Sequence, residues 1–240
     1  MHNLNAFPKI DSRVGSLNKK LGIIGGAGPL ASSLLYETLI QESYALKRQV
    51  PEILLINFPF TRGLSLEEGQ KNEKTIENEL SYCIKLLIQS GVGRGVLACN
   101  TLHLILNKLP QTSIIFHQLP QLVVHAAQER KHHRLLILAT ANTCSSSLYQ
   151  LAGMQAIYPS VSNQKVINAV IDRVLEGNIL QEDALLVSQV IQQTMASNEF
   201  DGVVLGCTDF PVLHHRFPIP CSKPIYDSIK ISAKTIAGTL

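Results

Sequence analysis

Short apolar runs alternate along this chain with longer segments of helical period, and that alternation restricts the fold more than any other feature. The runs are LGIIG (21–25), EILLINF (52–58), GRGVLAC (93–99), SIIF (113–116), RLLILAT (134–140) and DGVVLGC (201–207). Strands that read as nearly unbroken apolar runs are covered on both faces, and strand–helix alternation builds mostly parallel sheets. The predicted fold class is therefore α/β, with mostly parallel sheets.

The intervening segments set the organisation. A helix is expected from Leu30 to Lys47, with Pro29 at the first helical position, where proline is best tolerated. The polar stretch PFTRGLSLEEGQKNEK (59–74) reads as a connection into a helix ending near Ser90, and a short helical piece runs to about Asn107. A second unit starts near Gln118 with a helix through about Lys131. After RLLILAT, ANTCSSSLYQ reads as a helix-opening loop, and two helices cover roughly 163–176 and 181–197. The end reads as a short strand and a closing helix. The expected division is a poorly ordered polar leader, 1–20, a first domain, 21–117, and a second domain, 118–225.

The two halves carry one matched signal. VLACNT (96–101) and VLGCTD (204–209) share two aliphatics, a small residue, a cysteine, and polar residues that include threonine. Each lies late in its own α/β unit, so each puts one thiol at the carboxyl end of a strand, where open parallel sheets bind ligands. A single free cysteine is more often core than catalyst. Cys83 on an apolar helical face and Cys221 in a proline-flanked loop take that bland reading, and Cys144 sits in a polar loop that can line the same cleft. Two matched strand-end thiols are different. If the halves face each other, Cys99 and Cys207 flank one small molecule, and a thiolate–thiol pair can remove a proton from one face of a carbon and return one to the other. Helix N-termini after both cysteines are expected to lower the thiol pKa from about 8.5 toward neutrality.

Other chemistries fit less well. Gly26, Gly28 and Ala31 match G-x-G-x-x-G/A, but a dinucleotide site needs an acidic residue ending the second strand, and Asn57 stands there. Cys99 and His103, four apart, have no CxxC or HxxxH to complete a metal site. G-x-S-x-G is absent, no lysine sits in a pyridoxal phosphate context, and no cofactor is expected. Lys plus Arg number 21 against 18 Asp plus Glu, without the basic stripe that nucleic acid requires. No apolar run reaches the roughly eighteen residues of a membrane span. Five cysteines without framework spacing suit a reducing cytoplasm.

Together these residues resemble the aspartate/glutamate racemase family, the cofactor-independent amino-acid racemases that include hydantoin racemases. GIIGGAGPLAS (22–32) is similar to the family's G-G-M-G-P-x-A-T, ACNTLH (98–103) to A-C-N-T-x-H, and GCTDFPVL (206–213) to its G-C-T-E segment. The resemblance runs from Leu21 to the C-terminus and is nearest to the aspartate racemase branch. It implies two α/β domains with the site between them, a last helix (about 226–240) packing back on the first domain, and a homodimer. It makes Cys99 and Cys207 the acid/base pair. Asn57, Asn100, Thr101, Thr143 and Thr208 match positions that hold the α-carboxylate and ammonium of a small acidic amino acid. Lys165 falls where aspartate racemases carry a lysine, and Arg62 stands for an arginine on the loop after the second strand. Ala27 replaces the usual methionine, and Asp209 replaces the usual glutamate. The implied activity is racemisation of aspartate, glutamate or both. Alternatives are a two-cysteine relative such as a maleate isomerase or hydantoin racemase, or a non-catalytic amino-acid binder.

Overall fold

The computed structural model describes residues 20–61, 66–146 and 148–240, with 66–71 as backbone only. Its elements run β1 (Lys20–Gly25), α1 (Pro29–Ala45), β2 (Glu52–Asn57), α2 (Leu66–Gln89), β3 (Arg94–Leu97), α3 (Leu102–Leu106), β4 (Ile115–His117) and α4 (Leu119–Gln128). The second half continues with β5 (Arg134–Leu138), α5 (Ala141–Ser145), β6 (Gln155–Ile157), α6 (Val161–Leu175), α7 (Gln181–Ser197), β7 (Gly202–Leu205), α8 (Asp209–Arg216), β8 (Ile225–Asp227) and α9 (Ser228–Thr239).

Two parallel four-stranded sheets result, ordered β2-β1-β3-β4 and β6-β5-β7-β8. The second order repeats the first with every strand advanced by four, so β7 occupies in its sheet the place of β3. Central β1, β3, β5 and β7 are buried almost throughout, as their apolar runs require, whereas edge strand β2 is half-buried. Of the leader, only Lys20 is described. It opens β1 and pairs with Glu52 at 2.9 Å.

Helix α2 begins well before the expected connection ends. Ile76, Leu80, Cys83, Ile84 and Leu87 form its buried stripe among the residues whose side chains are described. The preceding turns are polar helix formers with no apolar period to announce them. Strand β6 was also not expected, because three residues are too few for a periodic signal.

The closing helices cross over. Helix α4, which follows the first sheet, lays Val123, Val124 and Ala127 on Leu135, Ile137 and Val204 of the second. Helix α9, which follows the second, packs on α1, its Ala233 and Ile236 in one core with Leu35 and Leu39. Ser32, Ser43, Ser232 and Ala237 are buried on these two helices, and such small side chains allow the close approach. One apolar core therefore runs from Leu21 and Val96 through α1 and α9 to Leu136 and Val203. Because each half supplies a helix to the other, urea should unfold both sheets in one transition followed by far-ultraviolet circular dichroism. Ile236→Ala, which empties a fully buried site, should cost about 2–5 kcal/mol without splitting that transition.

Candidate active site

Cys99 lies two residues beyond β3 and Cys207 two residues beyond β7, at corresponding points of the repeated sheets. The chain after each cysteine ties the halves together. The Thr208 hydroxyl donates to the Ala98 carbonyl at 3.1 Å. On the opposite side Thr101 Oγ1 lies 3.1 Å from Thr143 Oγ1 and 3.3 Å from Thr140 Oγ1. Thr140 caps α5, its hydroxyl accepting from the Thr143 N–H. These threonine contacts cross from one half to the other, and Thr101, Thr143 and Thr208 are buried.

The glycine turn of the first half meets the second at Asp209. At Gly26 φ is +105°, and a Cβ there would stand 2.0 Å from the Phe58 carbonyl oxygen, so only glycine fits. Ser32 holds the turn, accepting from the Gly26 N–H and donating to the Gly28 carbonyl, each at 3.1 Å. A Cβ on Gly28 would come within 2.8 Å of Asp209 Oδ1. The missing side chain thus leaves room for a carboxylate that reaches across from the other half.

That carboxylate accepts from the Cys207 thiol, Sγ to Oδ2 being 3.2 Å. Burial lifts the Asp209 carboxyl to about 6, against the thiol hydrogen bond and its own backbone N–H, which favour the charge. Burial also raises Cys207 well above an ordinary thiol, and the Asp209 charge pushes it the same way. Cys99 is pushed up to about 11 by burial. The Leu102 N–H opposes this, the Asp209 charge adds to it, and the N–H and hydroxyl of Thr101 favour the thiolate. The expected lowering of both thiols is therefore corrected for the unliganded site. Desolvation outweighs the N–H groups of the following helices, and the neighbouring Asp209 carboxylate adds to the rise.

The remaining sequence candidates divide. Asn100 is 2% exposed, and neither its Oδ1 nor its Nδ2 has a partner. A buried amide left unpaired is costly, which marks it as a group awaiting a ligand. Asn57 is exposed at the end of β2, level with Gly25 of β1. Lys165 is exposed in the second turn of α6 and makes no ion pair among the described residues. The neighbouring Gln164 donates to the Ala139 carbonyl beyond β5 at 2.8 Å, so α6 starts at the same end of the sheet as the thiols. Arg62 lies outside the described residues. Cys144 gives its thiol to Gln164 and the Ala139 carbonyl rather than to the Cys207 side chain. The sequence reading leaves out Thr140 and weighs His103 only as a metal ligand. Thr140 had a signal, a threonine preceding a short polar helix, and His103 had only its place in the motif.

The electrostatics carry a test. Asp209→Asn keeps the shape but removes the charge, so the Cys207 pKa should fall. Mass-spectrometric alkylation with iodoacetamide should show Cys207 reacting faster than in wild type at any pH between about 7 and 9, with Cys99 accelerated less. The folded Asp209 carboxyl titrates above its unfolded value of 3.8, so the native state binds the extra proton. Asp209 should therefore make wild type lose stability as pH rises from about 4 to 6, a slope that the Asn variant lacks.

The family model described as Asp/Glu/Hydantoin racemase matches residues 24–236. A glutamate racemase from Neisseria meningitidis is 26% identical over 176 residues, 70% of this chain and 63% of its own length. One from Lactobacillus acidophilus is 24% identical over 155 residues, 62% of this chain and 57% of its own. The chain thus spans less than two thirds of the length of these relatives. The solved aspartate racemase of Picrophilus torridus shares the fold with a TM-score of 0.73 at 23% identity, covering 92% of this chain and 95% of that one. No described helix is long and apolar enough to cross a membrane. With the family match covering nearly the whole described chain and both cysteine segments inside it, the protein belongs to the Asp/Glu/hydantoin racemase family.

Proposed function

We propose that this protein is a cofactor-independent racemase of aspartate, glutamate or both, with Cys99 and Cys207 as its two acid/bases. The observation that carries the reading is the placement of two thiols at corresponding strand ends of a repeated sheet, close enough that the charge of one raises the pKa of the other. One sulfur, as thiolate, takes the α-proton, and the other thiol gives its proton to the opposite face, inverting the carbon. Direction reverses by exchanging the roles. Asp209 accepts from the Cys207 thiol and, with its carboxyl near 6, can hold that proton when the thiolate forms.

Asn100 supplies an unpaired amide beside Cys99 for the substrate's charged α-groups. The hydroxyls of Thr101, Thr143 and Thr208 bond across the halves and retain lone pairs for an ammonium group. Fixed donors of this kind stabilise a carbanion only when they are held in place before it forms, which the cross-half threonine contacts accomplish. Asn57 stands at the open end of β2, and Lys165 at the rim can meet a side-chain carboxylate. Arg62 on the following loop is assigned the same task from the sequence motif. The enzyme is read as a homodimer of a reducing, cytoplasmic compartment, which its five unpaired cysteines suit.

A neutral substrate of the hydantoin type is the second reading. Among the described residues, the polar groups beside the thiols are uncharged apart from Asp209, and Lys165 is exposed.

Proton NMR in deuterated water separates these readings. The D and L forms of aspartate and glutamate, and a 5-substituted hydantoin, are incubated separately with wild type, Cys99→Ala and Cys207→Ala. Wild type should wash deuterium into the α-position of an acidic amino acid with inversion. Each alanine variant should slow inversion by about 10²–10⁴-fold. Lys165→Ala should raise KM for the preferred acidic substrate about tenfold and leave kcat nearly unchanged. Turnover of the hydantoin alone would transfer the assignment to the second reading. A folded protein that exchanges none of the five is no racemase of either class.

A further inference from the structure

The two thiols differ in how the peptide that carries them is held. Behind Cys207 the backbone is sufficient, since the Phe210 N–H donates to the Cys207 carbonyl at 3.1 Å. Behind Cys99 a side chain does the work. His103, fully buried in α3, places Nδ1 3.0 Å from the Cys99 carbonyl oxygen. Its other nitrogen, Nε2, accepts from the Leu119 N–H at 3.3 Å. Leu119 is the first residue of α4, the helix that leaves the first sheet and packs on the second.

These two bonds fix the tautomer. Leu119 offers a hydrogen, so Nε2 is the bare nitrogen and Nδ1 carries the proton that goes to Cys99. The His117 carbonyl, 3.5 Å from Nε2, is then a neighbour rather than a partner. A charged imidazolium would set N–H against N–H at Leu119, and burial holds the ring neutral. The ring thereby joins the peptide of one thiol to the point where the chain passes between halves. The second half has no equivalent, because the fourth residue after Cys207 is Pro211.

We propose that His103 is a positioning residue that sets the Cys99 sulfur through the Cys99 carbonyl, so that it governs proton transfer on one face of the substrate only. This role rests on the two-thiol racemase reading above. A proton-transfer group displaced by about an ångström can lose on the order of 10²-fold in rate, so releasing one carbonyl suffices to unbalance the pair.

Two amide variants separate the two bonds. His103→Gln reaches the Nε2 position, keeping an acceptor for the Leu119 N–H while freeing the Cys99 carbonyl. His103→Asn keeps a donor near Nδ1 for Cys99 and gives up Leu119. The measurement is deuterium wash-in and inversion from each enantiomer separately, with thermal unfolding of each variant alongside.

In His103→Gln, inversion should slow by about 10–10²-fold in both directions. Solvent exchange without inversion should continue from the enantiomer whose proton goes to Cys207 and fall from the other. His103→Asn should keep most of the inversion. Equal loss of exchange from both enantiomers, inversion unchanged in His103→Gln, an Asn variant as impaired as the Gln variant, or failure of both to fold would each overturn the role. A wild type that inverts nothing would instead remove the racemase reading itself, and this role with it.

Discussion

The hydroxyl-to-carbonyl bond between Thr208 and Ala98 is the contact on which the arrangement turns. It joins the residue after one thiol to the residue before the other, so the separation of the two sulfurs is set within a few bonds of each. Were the two sheets held together only by apolar packing, their mutual position would rest on a non-directional force. The threonine contacts around Thr101, Thr140 and Thr143 add direction on the opposite side. Close packing of α1 on α9 buries apolar surface between the halves, and the polar bonds choose the register in which that burial occurs.

Around this register the site is chemically lopsided although its scaffold is repeated. The first thiol faces N–H groups and a hydroxyl that favour its anion. The second is hydrogen-bonded to a carboxylate, which opposes its anion while offering a place for its proton. Duplication gives two strand ends at like positions, but the residues one to four places beyond each cysteine differ, and those residues tune the groups. Burial raises both thiols. A cationic group arriving between them would oppose that rise by direct attraction. Charge in the ligand therefore bears on readiness for chemistry as well as on binding.

Much of this was legible in the residues and some was not. Apolar runs announce the central strands because burial on both faces leaves no room for polar residues, and the cysteine segments announce the site because they recur. Asn100 was legible from its motif, and its unpaired amide gives the placement a physical reason. The start of α2 was illegible, since its residues, LEEGQKNEK, carry no apolar stripe. The upward shift of the thiols was illegible too, because it comes first from how deeply the fold buries them and then from the Asp209 charge, which only the folded chain brings near Cys99. His103 offered a position four residues from Cys99, but its partners are backbone groups, which leave no mark in a sequence.

The exchange of closing helices has a consequence for the order in which the chain matures. Helix α1 is made early, yet the helix that covers it, Ser228–Thr239, is the last described segment to leave the ribosome. Until then the first sheet keeps an uncovered apolar flank, and nascent chains with such flanks are prone to association. Completion of the first half is thus deferred until the second half has been made. A nascent chain would therefore complete both candidate thiol pockets at nearly the same moment, rather than carrying the first one finished while the second is made.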